Sequence, residues 1–397
     1  MAFSLPDFWV WDFWTAIDGP TVHLYYLRAP VSLVDPHLRH RNASVGHATS
    51  LDCVNWTDHG VVLEHGEPGA ADETATWTGS VYRDPSGLWR MYYTGSRYLR
   101  AGEDTNIETV LMATSNDLHE WVKASGVQLS ASHPWYETLA DHTWREEAWR
   151  DPWVVPDAAG DQWHMLITAR SREIPTGDDP ADRGVIGHAI SRDLDSWTAA
   201  APISSPGAGF AHLEVPQLVL VDGKKALIFS CDSSHLVGKR AGGAGGVWAL
   251  ALGDADPFSG GLVNLDDAQL IVGDELYAGR VVETPAGPAL LGFENVGQNG
   301  EFVGRLSDPL PLRWSDDGRL VAFTRERVRR QTLSSLSRAL QPTVSPRYAT
   351  PSRQRSPLTL KPGLRSLSGV TESSSSTWPE VSRTRAPGRR SDWARPA

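Results

Sequence analysis

The sequence predicts an all-β fold, a five-bladed β-propeller over residues 1–324, on three observations. A turn motif recurs along the chain, short β-rich runs fill the intervals between its copies, and long helical periods are absent. Recurrence at this scale signals stacked or radial architectures. Four-stranded units repeated about an axis leave only short, protected edges.

The motif first appears as His47-Ala-Thr-Ser-Leu-Asp-Cys-Val-Asn-Trp56. It returns as Met112-Ala-Thr-Ser-Asn-Asp-Leu-His-Glu-Trp121, 65 residues on, and as His188-Ala-Ile-Ser-Arg-Asp-Leu-Asp-Ser-Trp197, after a further 76. A looser fourth copy is Leu306-Ser-Asp-Pro-Leu-Pro-Leu-Arg-Trp314. Each copy reads as a strand end of small residues, a Ser-x-Asp turn, and a tryptophan opening the next strand. Serine and aspartate hold such turns by bonding their own backbone. The matched positions of His47 and His188 point to a structural role for both.

Thr21–Leu27, Trp89–Thr94, Gln162–Thr168 and Lys225–Ser230 are apolar or alternating over about six residues, and Gly, Pro and Asp turns such as Asp222-Gly223 bound them. Five four-stranded units fit roughly 320 residues, and the last strands are expected to end near Phe323. A β-sandwich array is the competing architecture, and the repeated turn argues against it.

An apolar fraction of 40% in 397 residues is enough for a real core, and seventeen tryptophans favour ligands with flat or ring-shaped faces. Cys53 and Cys231 make no disulfide framework. The N-terminus has neither a basic start nor a long apolar run, so a cytoplasmic protein with no membrane span is expected. The net charge of −11 divides unevenly: from Arg325 onward fifteen Arg or Lys face four Asp or Glu. That Ser-, Pro- and Arg-rich tail, residues 325–397, has no apolar period and is expected to be disordered. A basic nucleic-acid-binding arm and a reading-frame artefact are the alternatives for it; no nucleic-acid partner is expected for the body.

Three carboxylates carry the chemistry. Asp151 lies in Glu147-Ala-Trp-Arg-Asp-Pro-Trp-Val154, beside Arg150, between Trp149 and Trp153, and ahead of an apolar run. Asp12 lies in Phe8-Trp-Val-Trp-Asp-Phe-Trp14, where a lone acid among so many rings is costly without a purpose; Asp7 and Asp18 are its rivals. Glu214 precedes Val215-Pro216 and an apolar strand, much as Asp151 does. Each heads a different strand. Fixed acceptors beside apolar faces suit a sugar. Trp77 is a candidate stacking platform and Thr78 a hydroxyl donor, next to Asp72-Glu73; a core role for Trp77 is the competing reading. No His or Cys cluster has the sequence spacing of a metal site, Gly242–Gly246 reads as a loop, and no cofactor is expected.

These segments resemble glycoside hydrolase family 32 and its relatives in families 68 and 43, the five-bladed furanosidases. Arg150-Asp151-Pro152 is similar to that family's Arg-Asp-Pro, Glu214-Val-Pro to its Glu-Cys-Pro, and Val45–Trp56 to its Trp-Gly-His-Ala-x-Ser-x-Asp-Leu-x-x-Trp stretch. Trp77-Thr-Gly-Ser80 resembles Phe-Ser-Gly-Ser, and Trp11-Asp12 resembles the nucleophile segment. Tyr277-Ala278 and Phe302–Ser307 resemble later strands. The likeness spans roughly residues 8–323. Departures are the absence of proline after Asp12, Val215 in place of cysteine, and the basic tail where a C-terminal β-sandwich is usual.

The resemblance implies a retaining β-fructofuranosidase that acts on sucrose or fructo-oligosaccharides. Asp12 is then the nucleophile, Glu214 the acid/base, and Asp151 the acceptor that holds ring hydroxyls. Val215 and Pro216 would give Glu214 an apolar neighbourhood. Trp11, Trp77, Thr78 and Arg150 would line the substrate site. The alternatives are a family 43-like arabinosidase or xylosidase, a fructosyltransferase, and a non-catalytic sugar-binding propeller. Oligomeric state is left open.

Overall fold

The computed structural model describes residues 2–157, 160–175, 177 and 179–323; the tail expectation for 325–397 lies outside them. Twenty-one strands form five sheets in chain order. Blade one comprises β1 (Phe8–Asp18), β2 (Thr21–Pro30), β3 (Ser44–Ser50) and β4 (Thr57–Leu63). Blade two comprises β5 (Ala75–Arg83), β6 (Trp89–Tyr98), β7 (Asn106–Ser115) and β8 (Val122–Ser130). Blade three comprises β9 (Trp149–Pro156), β10 (Trp163–Arg170), β11 (Gly184–Ser191) and β12 (Trp197–Ala200). Blade four comprises β13 (Glu214–Val221), β14 (Lys224–Cys231), β15 (Gly246–Gly253) and β16 (Gln269–Gly273). Blade five comprises β17 (Leu276–Thr284), β18 (Gly287–Val296), β19 (Phe302–Leu306), β20 (Leu310–Trp314) and β21 (Leu320–Ala322).

Each sheet is an antiparallel meander, and β19 is an extra strand paired with β18. The four β-rich runs expected from sequence are the second strands of blades one to four. The innermost strands β1, β5, β9, β13 and β17 touch in that order around the axis, and β1 meets β17 and β19 to close the ring. At the closure, the Leu306 amide donates to the Phe3 carbonyl at 2.9 Å. The expected five-bladed propeller is therefore the fold of the described residues, which include no β-sandwich.

The recurring turn keeps its geometry from copy to copy. In each of the first three copies the serine hydroxyl (Ser50, Ser115, Ser191) accepts from two following amides. The aspartate (Asp52, Asp117, Asp193) then accepts from the next two amides. The residue after it, Cys53, Leu118 or Leu194, adopts a positive φ of 60–66°. The turn also locks neighbouring blades. Tyr25 of β2 donates to the Leu118 carbonyl at 2.7 Å and meets Trp121 edge-on, and Tyr92 of β6 repeats both contacts with Leu194 and Trp197. The fourth copy departs from this plan: Trp314 closes β20 instead of opening a strand, and its indole N–H donates to the Val221 carbonyl of blade four.

All five innermost strands break register once, with one extra residue on the inner side. The breaks fall between Trp11 and Phe13, between Trp77 and Gly79, opposite the Leu166–Thr168 step, between Glu214 and Gln217, and between Tyr277 and Arg280. A bulge bends a strand and re-aims a side chain. The bulged residues include Asp12, Thr78 and Asp151, and Glu214 and Tyr277 sit directly beside theirs. Asp151, Val215 and Ala278 hold left-handed φ values of 49–60°, a conformation that costs free energy in non-glycine residues and tends to cluster at functional sites.

Candidate active site

Asp12 is the fifth residue of β1 and is half-buried, while Trp11 and Phe13 on either side pack into the core. Thr78, on the bulge of the neighbouring β5, donates to Asp12 Oδ2 at 2.7 Å. Burial, the negative charge of Asp151 and, less strongly, that of Glu214 raise Asp12 to about 7, while the Thr78 bond and the Arg39 charge pull it down. The charges of Asp151 and Glu214 therefore both reach Asp12. The rivals Asp7 and Asp18 are exposed, and Asp18 faces Arg83 at the surface.

Asp151 is buried, and both of its side-chain hydrogen bonds fall on Oδ2, from the Thr168 hydroxyl at 2.8 Å and the Val215 amide at 3.0 Å. Its strained backbone is tied down by its own amide, which donates to Thr94 Oγ1 at 3.0 Å. Thr94 donates in turn to the Thr78 carbonyl, so blades two, three and four meet on this one residue, blade two at its amide and blade four at its carboxylate. Pro152 follows within the bulge, where its missing N–H leaves no gap in the ladder.

Glu214 opens β13. Arg150 Nη2 donates to its Oε1 at 2.6 Å, and the Tyr277 hydroxyl donates to its Oε2. Its surroundings are thus set by polar partners. The apolar neighbourhood expected from Val215 and Pro216 is not what surrounds the carboxylate: Val215 acts through its backbone amide on Asp151, and the Pro216 carbonyl accepts from Arg280.

Arg150 is buried among acids. Its Nη1 reaches both oxygens of Glu108 at 3.1–3.2 Å and Glu146 at 3.4 Å, and Nη2 lies 3.2 Å from His212 Nδ1. Burial opposes its charge, and Glu108, Glu214, Glu146 and Asp151 together hold it well above the usual guanidinium value. So placed, Arg150 anchors Glu214.

The two tryptophans part company. Trp11, 2% exposed, is a core residue. Trp77 is half-buried and donates to the His40 carbonyl at 2.7 Å. Arg39, on the short 3₁₀ helix Pro36–Arg41 between β2 and β3, stands over the Phe302 ring at 4.0 Å, and its charge bears on both Asp12 and Glu214. Nothing in the sequence marked Arg39. Arg280 was also missed. It is 1% exposed, and it donates to the Phe13, Pro216 and Gly79 carbonyls, one from each of three blades. Burial lowers it to about 10, against the opposing pull of Asp151 and Asp12. An arginine directly ahead of the apolar pair Val281-Val282 is the one sequence signal that marks it.

Five blades enclose carboxylates that each enter from a separate inner strand. The chain belongs to glycosyl hydrolases family 32: the model of that family's N-terminal domain matches residues 18–288. The matched stretch contains Asp151 and Glu214, and Asp12 precedes it. Among solved structures, an inulosucrase from Halalkalicoccus jeotgali bound to kestose superposes with a TM-score of 0.64 at 22% identity, over 81% of this chain and 89% of its own. The catalytic domain of a Microbacterium saccharophilum K-1 β-fructofuranosidase gives 0.62 at 18% identity, over 81% and 82%. In sequence, the chain is 27% identical to a sucrose-6-phosphate hydrolase from Escherichia coli over 49% of this chain and 36% of that protein. A fructan 6-exohydrolase from Beta vulgaris is 25% identical over 49% and 29%. The chain thus spans about a third of the length of these curated relatives. Among the described residues, no helix is long and apolar enough to cross a membrane.

Proposed function

We propose that the protein is a retaining glycosidase that cleaves β-fructofuranosidic bonds in sucrose or short fructo-oligosaccharides. The observation that supports this reading is that Asp12, Asp151 and Glu214 sit at or beside the bulges of three inner strands, with Arg150 donating to Glu214 and the Val215 amide to Asp151. Asp12 attacks the anomeric carbon. Its Oδ2 is occupied by Thr78, and no bond to Oδ1 occurs among the described residues, so Oδ1 is the attacking oxygen. Glu214 gives its proton to the leaving oxygen as the glycosidic bond breaks; its carboxylate then takes a proton from the water that releases the fructosyl unit from Asp12. Asp151 accepts from ring hydroxyls through Oδ1, because Thr168 and Val215 hold Oδ2. Its negative charge also stabilises the positive charge that develops on the sugar. The relatives named as a sucrose-6-phosphate hydrolase and a fructan 6-exohydrolase, and the kestose bound to the inulosucrase, support fructosides as the substrate class.

The test is fructose release from sucrose and kestose by the full chain and by Asp12→Asn, Asp151→Asn and Glu214→Gln, with circular dichroism to confirm folding. Each substitution is expected to abolish turnover. Full activity in a folded variant removes that residue from the mechanism. Turnover of aryl arabinosides or xylosides without turnover of fructosides overturns the substrate class. Product analysis at high sucrose separates hydrolysis from fructosyl transfer.

A further inference from the structure

The junctions between blades repeat, and one of them has a chemistry that the fold does not require. In blade one, His23 Nδ1 lies 3.0 Å from His47 Nε2; in blade three, His164 Nδ1 lies 2.9 Å from His188 Nε2. Both pairs are buried, stacked and on second and third strands. The corresponding pair in blade two is Arg90 and Met112. What differs is the group that the following blade lays on each pair. Blade three brings Asp195 to Arg90 at 2.5 Å, an ion pair. Blade four brings Phe258, stacked on His164 with ring centres 3.9 Å apart. Blade two brings His119 from its Ser-x-Asp turn, and β4 adds His59.

Here four imidazoles meet. The rings of His47, His59 and His119 lie 4.8–5.2 Å apart, centre to centre. One nitrogen of each lies within 4.8 Å of one nitrogen of both others. Tetrahedral zinc with Zn–N bonds of about 2.0–2.1 Å needs ligand nitrogens about 3.3 Å apart. His59 and His119 are exposed side chains, so rotation about their own χ angles closes that difference without moving the sheet. His47 is fully buried, and among the described residues its Nδ1 has no hydrogen-bond partner. An unsatisfied buried polar atom is costly. When Nδ1 donates its lone pair to a metal, Nε2 carries the proton and donates to His23 Nδ1, the orienting contact that metal-bound histidines commonly keep. The Thr49 hydroxyl, 2.8 Å from His59 Nε2, is an exposed partner that the ring exchanges as it turns toward the other two.

We propose that His47, His59 and His119 form a site for one divalent transition-metal ion of the zinc class, oriented by His23, which ties blade one to blade two where the next two junctions use an ion pair and an aromatic stack. Three imidazole nitrogens leave a fourth position for water. The tie is structural and stands apart from the carboxylate site.

The experiment uses the tag-free full chain, stripped with chelator, and follows zinc binding by titration calorimetry, cobalt binding by visible absorption, and thermal unfolding across zinc concentrations. One ion per chain is expected, with a Tm that climbs with the logarithm of free zinc. His59→Ala and His119→Ala, both at exposed positions, should each weaken binding at least about tenfold, and the double variant should lose it. His65→Ala, exposed and outside the cluster, should bind as the parent does. Absence of saturable one-to-one binding by the parent overturns the proposal, as does unchanged affinity in the folded double variant.

Discussion

The Thr78 hydroxyl donates to Asp12 Oδ2 at 2.7 Å across the gap between blades one and two. This bond opposes the burial and the neighbouring charges that raise Asp12 to about 7. On the proposed mechanism Asp12 attacks as the carboxylate, so kcat/KM falls on the acid side as Asp12 takes up a proton. Thr78→Val removes a donor that favours the charged form. The acid limb of the kcat/KM profile should move to higher pH by about 0.5–1 unit, which lowers the rate below that limb about three- to tenfold. Thr78→Ser should restore the original limb. A Val variant with an unmoved acid limb would separate Asp12 from the observed ionisation.

Glu108 sets the position of Arg150. Among the described residues, every hydrogen bond to the Glu108 carboxylate comes from a donor: Arg150 Nη1 on both oxygens, the Trp149 amide on Oε2, and the Asn106 side chain on Oε1. Glu108→Gln would turn an N–H₂ group toward one of those donors and release Arg150, which also holds Glu214. We expect kcat to fall about 10–100-fold with a smaller change in KM, since Glu108 acts through Arg150 and does not bind sugar. Steady-state kinetics on sucrose checks this split; a loss confined to KM would assign Glu108 to substrate binding.

Arg280 joins three blades at the axis through the carbonyls of Phe13, Gly79 and Pro216. Replacing it with methionine keeps the bulk and leaves all three acceptors buried without their donor. The expected loss is about 3–5 kcal/mol, read from urea unfolding of the Arg280→Met variant. A loss below about 1 kcal/mol would mean that other donors or water satisfy those carbonyls.

The parts of the molecule legible in its sequence are those whose causes are local. Ser50 and Asp52 bond amides within three residues, so the turn, and with it the repeat, could be read from the motif. Asp12, Asp151 and Glu214 were visible because each interrupts an apolar strand. The supporting partners were not, because they come from afar: Glu108 lies 42 residues from Arg150, and Phe13 lies 267 residues from Arg280. The histidine cluster is of the same kind, with ligands from β3, β4 and the β7–β8 turn. Trp11 misled for a physical reason. Side chains alternate along a strand, and the ring next to Asp12 in sequence turns away from it, into the core.

Asp12 also places a stability cost on the fold. Its pKa rises from 3.8 to about 7 on folding, so between those values the folded chain binds a proton that the unfolded chain has released. Stability therefore falls as pH rises from about 4 to 7 and levels off above that range. Asp12→Asn removes the charge and keeps the shape and an acceptor for Thr78. With allowance for the solvent that reaches this half-buried group, the variant should be more stable than the parent by about 1–3 kcal/mol near pH 8, and the difference should shrink toward zero near pH 4. Turnover should be lost in the same variant, the exchange of stability for activity expected where a fold holds a strained charge for chemistry. Thermal unfolding of both proteins at about pH 4.5 and pH 8 measures the effect. A stability gap that is equal at the two pH values would show that Asp12 enters the folded state with its ordinary acidity.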